Sequence, residues 1–196
     1  MIPTTATDAE LQQYVDNIVA AYRAATPDQV TRGRQWYRVA HDLAAMIGDG
    51  DVRMGAGLLA ALSANKRWSA NVTLAEDAAN GNVHGHTGDT LAKVGKILGG
   101  ADPTELLPMQ VKTGNFYRCI MDPADPDPVV IDRHAHDIAV GERYGQRDRG
   151  LSNVNRYATL ALAYRLAARK LGVIPSVVQA VTWVRQTELG DAAQAA

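Results

Sequence analysis

One lysine and one aspartate are the residues of this sequence best suited to chemistry. Lys112 opens the stretch Lys112-Thr113-Gly114-Asn115, near an expected helix start, and Asp132 follows the apolar run Val129-Val130-Ile131 twenty residues later. A lysine amine can attack a sugar carbon, and an ionised carboxylate stabilises the positive charge that builds on a sugar when its bond to a base breaks. The pair therefore predicts cleavage of an N-glycosidic bond, on the condition that folding brings both side chains to one site.

Asp132 is also placed to cap a helix. The chain turns here from an extended segment into a predicted helix of about eight residues that ends near Gly141. A capping carboxylate accepts backbone N–H groups and lies at the positive end of the helix, and both effects favour the charged form. Capping alone would also explain Asp132, and a solvated helix position would explain Lys112, so both interpretations remain open at this point.

The elements that must position these residues are predicted to be α-helices, because apolar residues recur at helical spacing in almost every segment. Helix starts are marked by capping residues and by prolines at the first helical position. These start signals are Thr7 with Glu10, Thr26-Pro27 with Gln29, Asp51, Thr87 and Asp102-Pro103. The segment from Met54 to Ala64 has no polar side, which predicts a buried central helix.

Composition limits the class of protein. The 196 residues, of which 46% are hydrophobic, are enough for a single α-helical domain covering 1–196. Cys119 is the only cysteine, so an intrachain disulfide is excluded. A net charge of -1 gives no general attraction to nucleic acid, so DNA binding requires a local basic patch. No apolar run approaches the roughly 20 residues that span a bilayer, and we expect a cytoplasmic protein.

Four segments carry a family resemblance. Leu62-Ser63-Ala64-Asn65 resembles a Leu-Ser-x-Gln stretch, Lys93 to Leu98 a helix before a hairpin, Lys112 to Asn115 a Lys-Thr-Ala-Asn motif, and Val130 to His134 a Val-Asp-Thr-His motif. These motifs occur in this order in the helix-hairpin-helix DNA glycosylase superfamily, which includes endonuclease III. The resemblance covers roughly residues 54–144 and implies the compact multi-helix fold of that superfamily.

The resemblance implies an enzyme that removes a damaged or modified base from double-stranded DNA, with lyase activity in its bifunctional form. The base would be extruded from the helix. Lys112 would attack C1′ of the sugar, Asp132 would stabilise the charged sugar, and Asn65 would oppose the extruded base. Capping of the next helix is the other interpretation of Asn65. The further DNA-binding candidates are Lys66, Arg67, Asn115, Arg133, His134, Arg143, Arg147 and Arg149.

The sequence departs from the family at the hairpin. The family has glycines in a Leu-Pro-Gly-Val-Gly stretch, where backbone N–H groups approach a DNA phosphate, whereas Leu107 to Val111 contain none. This departure favours two alternatives on the same scaffold: a non-catalytic DNA-associated binding protein, and a base-exchange enzyme of phage origin. The segments from Lys112 to Ile120 and from Asp132 to Ala135 are also similar to uncharacterised actinobacterial and phage proteins.

Two further groups of residues could bind ligands. Arg143, Arg147, Arg149 and Arg156 form the most basic stretch and are candidate phosphate contacts, with a solvated face as the alternative. Asp132, His134, His136 and Asp137 offer oxygen and nitrogen ligands. However, two histidines that are two residues apart point in different directions on a helix, unlike the i, i+4 pair of a zinc helix. The sequence also lacks the cysteines of an iron–sulfur cluster, so we predict neither a metal nor a cofactor.

Overall fold

The structure is a computed structural model that describes residues 6–195, with side chains described as far as residue 190. Within this range the chain is all-α and contains no strand, which confirms the predicted class. The helices are α1 (Asp8–Arg23), α2 (Pro27–Ile47), α3 (Val52–Ala61), α4 (Trp68–Ala79), α5 (Gly88–Leu98), α6 (Pro103–Leu106), α7 (Lys112–Met121), α8 (Arg133–Val140), α9 (Val154–Leu171) and α10 (Pro175–Ala195). None of these described helices has the length and apolarity needed to cross a membrane.

The predicted capping residues begin the first helices. At α1, Glu10 N donates to Thr7 Oγ1 at 3.3 Å and Thr7 N donates to Glu10 Oε2 at 2.8 Å. The same reciprocal pair occurs at α2, where Gln29 N donates to Thr26 Oγ1 at 3.3 Å and Thr26 N donates to Gln29 Oε1 at 2.9 Å. Each pair satisfies two backbone N–H groups that a bare helix end leaves without partners. Local sequence therefore sets these boundaries.

Backbone contacts divide the chain into two compact units. Unit 1 combines Met1–Tyr37 with Ala124–Ala196, and unit 2 is the continuous segment Arg38–Pro123, so the division falls inside α2. In unit 1, α1 packs against α8, α9 and α10. In unit 2, α3 packs against α4, α5, α6 and α7. Every residue from Gly55 to Ala61 is buried, as predicted for a central helix.

Gly55 sets the distance between α3 and α2 in unit 2. A Cβ atom at Gly55 would lie 1.9 Å from the carbonyl oxygen of Ala44. Because this oxygen is a backbone atom, it cannot move away by a side-chain rotation. We therefore expect Gly55→Ala to destabilise the protein by about 3 kcal/mol through overpacking. Gly95, in α5, has nothing within 4 Å of such a Cβ, so Gly95→Ala should stabilise by up to about 1 kcal/mol through helix propensity. Urea unfolding of the two variants measures both effects, and equal midpoints would contradict the close approach.

Candidate functional site

In unit 2, the predicted nucleophile is the first residue of a helix. Lys112 begins α7 and is half-buried, and its Nζ donates to the carbonyl oxygen of Ser63 at 3.4 Å. Ser63 belongs to the Leu62 to Asn65 stretch that follows α3. Two of the segments that carry the family resemblance therefore meet within this unit.

Asn65 lies at the exposed tip of this stretch, and its backbone is left-handed with φ 56°. Asparagine is one of the few residues other than glycine that tolerate this conformation. The alternative interpretation of Asn65 as the cap of the helix that carries Trp68 is wrong, because Arg67 occupies that position and makes no side-chain capping bond. Lys66 and Arg67 are both exposed. The turn thus presents an amide and two cations to solvent.

Asn115 is not placed as a surface contact. Its side chain is buried, and its Nδ2 donates to the carbonyl oxygen of Val111 at 3.0 Å. Direct contact of Asn115 with DNA therefore does not fit the structure, because its amide group holds the start of α7. This is a positioning role for the helix that carries Lys112.

The turn before α7 does not need the glycines that the family has there. None of residues 107–111 has a positive φ. The close approach occurs three positions after the turn, since a Cβ at Gly114 would lie 2.1 Å from Cα of Met109. The turn is thus packed directly against the first turn of α7, and Gly114 is the residue that allows it.

In unit 1, Asp132 caps α8 as predicted. Its Oδ1 accepts from Ala135 N at 2.8 Å, and α8 ends at Gly141 with φ 79°. Asp132 is half-buried. In the described part of the chain, no hydrogen bond is seen to its second carboxylate oxygen. One oxygen of the carboxylate therefore holds the helix while the other is available.

The residues next to Asp132 differ in exposure. Arg133 is exposed and donates from Nε to His134 Nε2 at 3.2 Å. His134 is half-buried, and burial lowers the pKa of its imidazole. As predicted, His134 and His136 have different partners and point to different neighbours. No group of three or more potential metal ligands was found among the described residues.

A buried ionic network on the other side of α8 was missed at the sequence level. The carboxylate of Asp137 accepts from Arg149 Nε at 2.7 Å and from an Arg149 terminal nitrogen at 2.7 Å. It also accepts from Tyr144 N at 3.1 Å and pairs with Nδ1 of His136 at 2.9 Å. Burial opposes ionisation of Asp137, but these hydrogen bonds outweigh it and lower the pKa of the carboxyl. Arg149, predicted as a phosphate contact, is thus engaged by Asp137.

The tautomer of His136 follows from its partners. The side chain is fully buried, and a terminal nitrogen of Arg156 lies 3.3 Å from His136 Nε2. A guanidinium can only donate, so Nε2 must accept and the proton lies on Nδ1, where it is donated to Asp137. Burial, together with the charge of Arg156, lowers the pKa of His136 and keeps it neutral.

The interpretation of Arg156 as a phosphate contact is wrong. The residue is only 3% exposed, and it donates to the hydroxyl of Tyr14 at 3.2 Å as well as to His136. Its Nε is a buried atom without a hydrogen-bond partner. Arg143 and Arg147 are exposed instead, and Arg147 pairs with Glu142 at 2.6 Å. The basic surface of this stretch is therefore smaller than the sequence predicted.

Protonation of His136 should weaken the fold. Because its folded-state pKa lies below the unfolded value of about 6.5, the unfolded chain binds the proton first, and stability is lost as pH falls below that value. We expect the free energy of unfolding to decrease by up to about 1.4 kcal/mol per pH unit in this window. His136→Gln cannot titrate and should show a shallower slope between pH 7 and 5 in urea titrations. Identical slopes would contradict this assignment.

The chain belongs to a protein family whose model matches residues 1–189 and is described as a family of unknown function (DUF7178). No curated protein and no solved structure matches the chain.

Proposed function

We propose that this member of the family is a DNA glycosylase-like enzyme that cleaves the N-glycosidic bond of a damaged or modified base in double-stranded DNA. Lys112 acts as the nucleophile and gives the enzyme lyase activity, and Asp132 stabilises the charged sugar. The observation that carries the proposal is the placement of Lys112 as the first residue of α7, held 3.4 Å from the Ser63 carbonyl in the stretch that ends at Asn65.

The surroundings of Lys112 support contact with a nucleic acid. The turn from Ala64 to Arg67 is exposed and carries two cations, which suit backbone phosphates. Asn65 at its tip presents an amide that can hydrogen-bond to a base left without its partner. These residues belong to the same unit as Lys112.

The surroundings of Asp132 support its role separately. A carboxylate that caps a helix is fixed in direction by the backbone N–H group that it binds. The 2.8 Å bond from Ala135 N uses Oδ1, so Oδ2 remains to face a developing positive charge. A charge that is fixed before the reaction stabilises the transition state without reorganisation.

In the first step of the proposed reaction, one bond forms and one breaks. Lys112 Nζ attacks C1′ as the neutral amine while the bond between C1′ and the base nitrogen breaks, and the base leaves with the proton that Nζ gives up. The bond between C1′ and O4′ then breaks, O4′ takes a proton to become a hydroxyl, and an iminium forms between Nζ and C1′. Loss of a C2′ proton to water forms the C2′–C3′ double bond as the bond between C3′ and oxygen breaks, and the 3′-phosphate leaves.

Borohydride trapping tests the proposal, because it reduces the iminium to a stable amine. Short duplexes that each contain one modified base, such as 8-oxoguanine, thymine glycol, uracil or 3-methyladenine, would be incubated with the protein and borohydride. We expect a covalent adduct on at least one duplex, a loss of more than about a hundredfold in Lys112→Ala, and an unchanged yield in Lys96→Ala. Lys96 is the matched control because it is an exposed lysine of the same unit that has no part in the proposed DNA contacts.

The outcomes separate the parts of the proposal. An adduct that persists in Lys112→Ala would overturn the role of the lysine. Base release without any adduct would support a glycosylase and overturn its lyase activity. If no base is released and no adduct forms on any duplex, the proposed enzymatic activity is overturned.

A binding protein without turnover is the second candidate, favoured by the turn at residues 107–111. This turn has no left-handed residue and is packed against Gly114, so its backbone is engaged within the chain. Salt-dependent retention on duplex DNA without base release would favour this candidate. A base-exchange enzyme would instead incorporate a free labelled base into the same duplex.

A further inference from the structure

Two tyrosines of α9 hold the chain on both sides of Asp132. Tyr157 and Tyr164 are seven residues apart, which places them on one face of the helix two turns apart. Both side chains are buried, with relative exposures of 2% and 0%. Their hydroxyl groups both reach backbone atoms that flank Asp132, and all of these residues belong to unit 1.

Tyr157 fixes the segment that leads into Asp132. Its hydroxyl donates to the carbonyl oxygen of Val129 at 3.0 Å and accepts from Ile131 N at 3.0 Å. A hydroxyl has one proton to donate and two lone pairs to accept with, so this single group satisfies two buried backbone groups of an extended segment. The residue directly before Asp132 therefore cannot shift without breaking a buried hydrogen bond.

Tyr164 fixes the residue that Asp132 caps. Its hydroxyl donates to the carbonyl oxygen of Ala135 at 3.1 Å, while Ala135 N donates to Asp132 Oδ1 at 2.8 Å. Ala135 is thus held at both of its backbone polar groups. Because Oδ1 is bound to a fixed N–H group and the preceding backbone is bound to Tyr157, the direction of Oδ2 is set from both sides.

We propose that Tyr157 and Tyr164 are positioning residues for the Asp132 carboxylate. This inference rests on the proposed function for its effect on rate, but its geometric part can be measured without a reaction. Neither tyrosine is exposed, so neither contacts a substrate. Their removal should lower kcat and leave KM unchanged, since a buried group that only orients another does not add to substrate binding.

The experiment compares Tyr157→Phe and Tyr164→Phe with Tyr37→Phe as the matched control. Tyr37 is also a buried tyrosine of unit 1, and its hydroxyl donates at 2.7 Å to the side chain of Gln179 in α10. Two experiments are made. The first measures kcat and KM of base release, and the second measures hydrogen exchange of the Ile131 and Ala135 amides relative to the amide of Ile18 in α1. We expect Tyr157→Phe to accelerate exchange at Ile131 and Tyr164→Phe at Ala135, each by about tenfold or more.

The kinetic measurement and the hydrogen-exchange measurement test the positioning role separately. In both variants kcat should fall by about tenfold or more with KM within about twofold, whereas Tyr37→Phe should change neither quantity. Unchanged exchange at Ile131 and Ala135, or an equal loss of kcat in Tyr37→Phe, would overturn the positioning role. If the unaltered protein releases no base, the proposed function fails, and the exchange rates alone then decide whether the tyrosines fix this segment.

Discussion

Asp132→Asn should slow base release by at least about a hundredfold while the protein stays folded. Asparagine keeps an oxygen that can accept from Ala135 N, so the cap of α8 is retained. The substitution removes the negative charge that stabilises the developing positive charge on the sugar, and loss of one such electrostatic group costs about 10²–10³ in rate. Single-turnover kinetics on the duplex that gives the borohydride adduct measures this effect.

Asp51→Asn is the matched control for that experiment. Asp51 also caps a helix, because its Oδ1 accepts from Met54 N at 3.1 Å at the start of α3. If the only contribution of Asp132 is capping, both variants should retain full activity. Equal rates for Asp132→Asn and the unaltered protein would therefore remove the carboxylate from the proposed mechanism. Loss of activity in both variants would point to a general loss of structure.

Asp137→Ala should cause the largest loss of stability, about 3–5 kcal/mol, because it breaks an ion pair that is almost enclosed. The side chains of Asp137 and Arg149 are only 12% and 13% exposed, and the carboxylate accepts four hydrogen bonds from three residues. Removal of the carboxylate leaves Arg149 without its counter-charge and His136 without its acceptor. For a chain of this size, the melting temperature should fall by roughly 10 °C.

Glu142→Ala provides the control for this prediction. Glu142 also pairs with an arginine of the same stretch, Arg147, but the two side chains are 59% and 55% exposed. Exposed pairs contribute about 0–1 kcal/mol, so this variant should melt within about 3 °C of the unaltered protein. Equal melting temperatures for the two variants would show that the Asp137 network does not stabilise the fold.

The helix boundaries could be predicted from sequence because their signals are local. The reciprocal bonds of Thr7 with Glu10 and of Thr26 with Gln29 involve residues three positions apart. The same holds for Asp132, whose cap joins it to Ala135. Such contacts are decided by neighbouring residues and do not depend on how helices pack. For this reason the start of α8, and thus the local setting of Asp132, followed from the sequence, whereas α7 begins after Val111 without a side-chain cap.

The buried network could not be predicted in this way, because its partners are distant in sequence. Arg149 is twelve residues from Asp137 and Arg156 is twenty from His136. A basic stretch has the same composition whether its arginines face solvent or a buried carboxylate. One signal was present, since His136 shares a buried helix with Ala135, Ile138 and Ala139. Burial of that helix on both sides would have predicted a partner for each polar group.

The course of the chain through the two units has a consequence for synthesis. Unit 2 is one uninterrupted segment, Arg38–Pro123, whereas unit 1 needs both Met1–Tyr37 and Ala124–Ala196. A ribosome therefore synthesises every residue of unit 2 before it makes α8, α9 and α10, so α1 must wait for its partners while the inserted segment can acquire its core earlier. The apolar face of α1 is the surface of the nascent chain that a chaperone would have to shield during this delay.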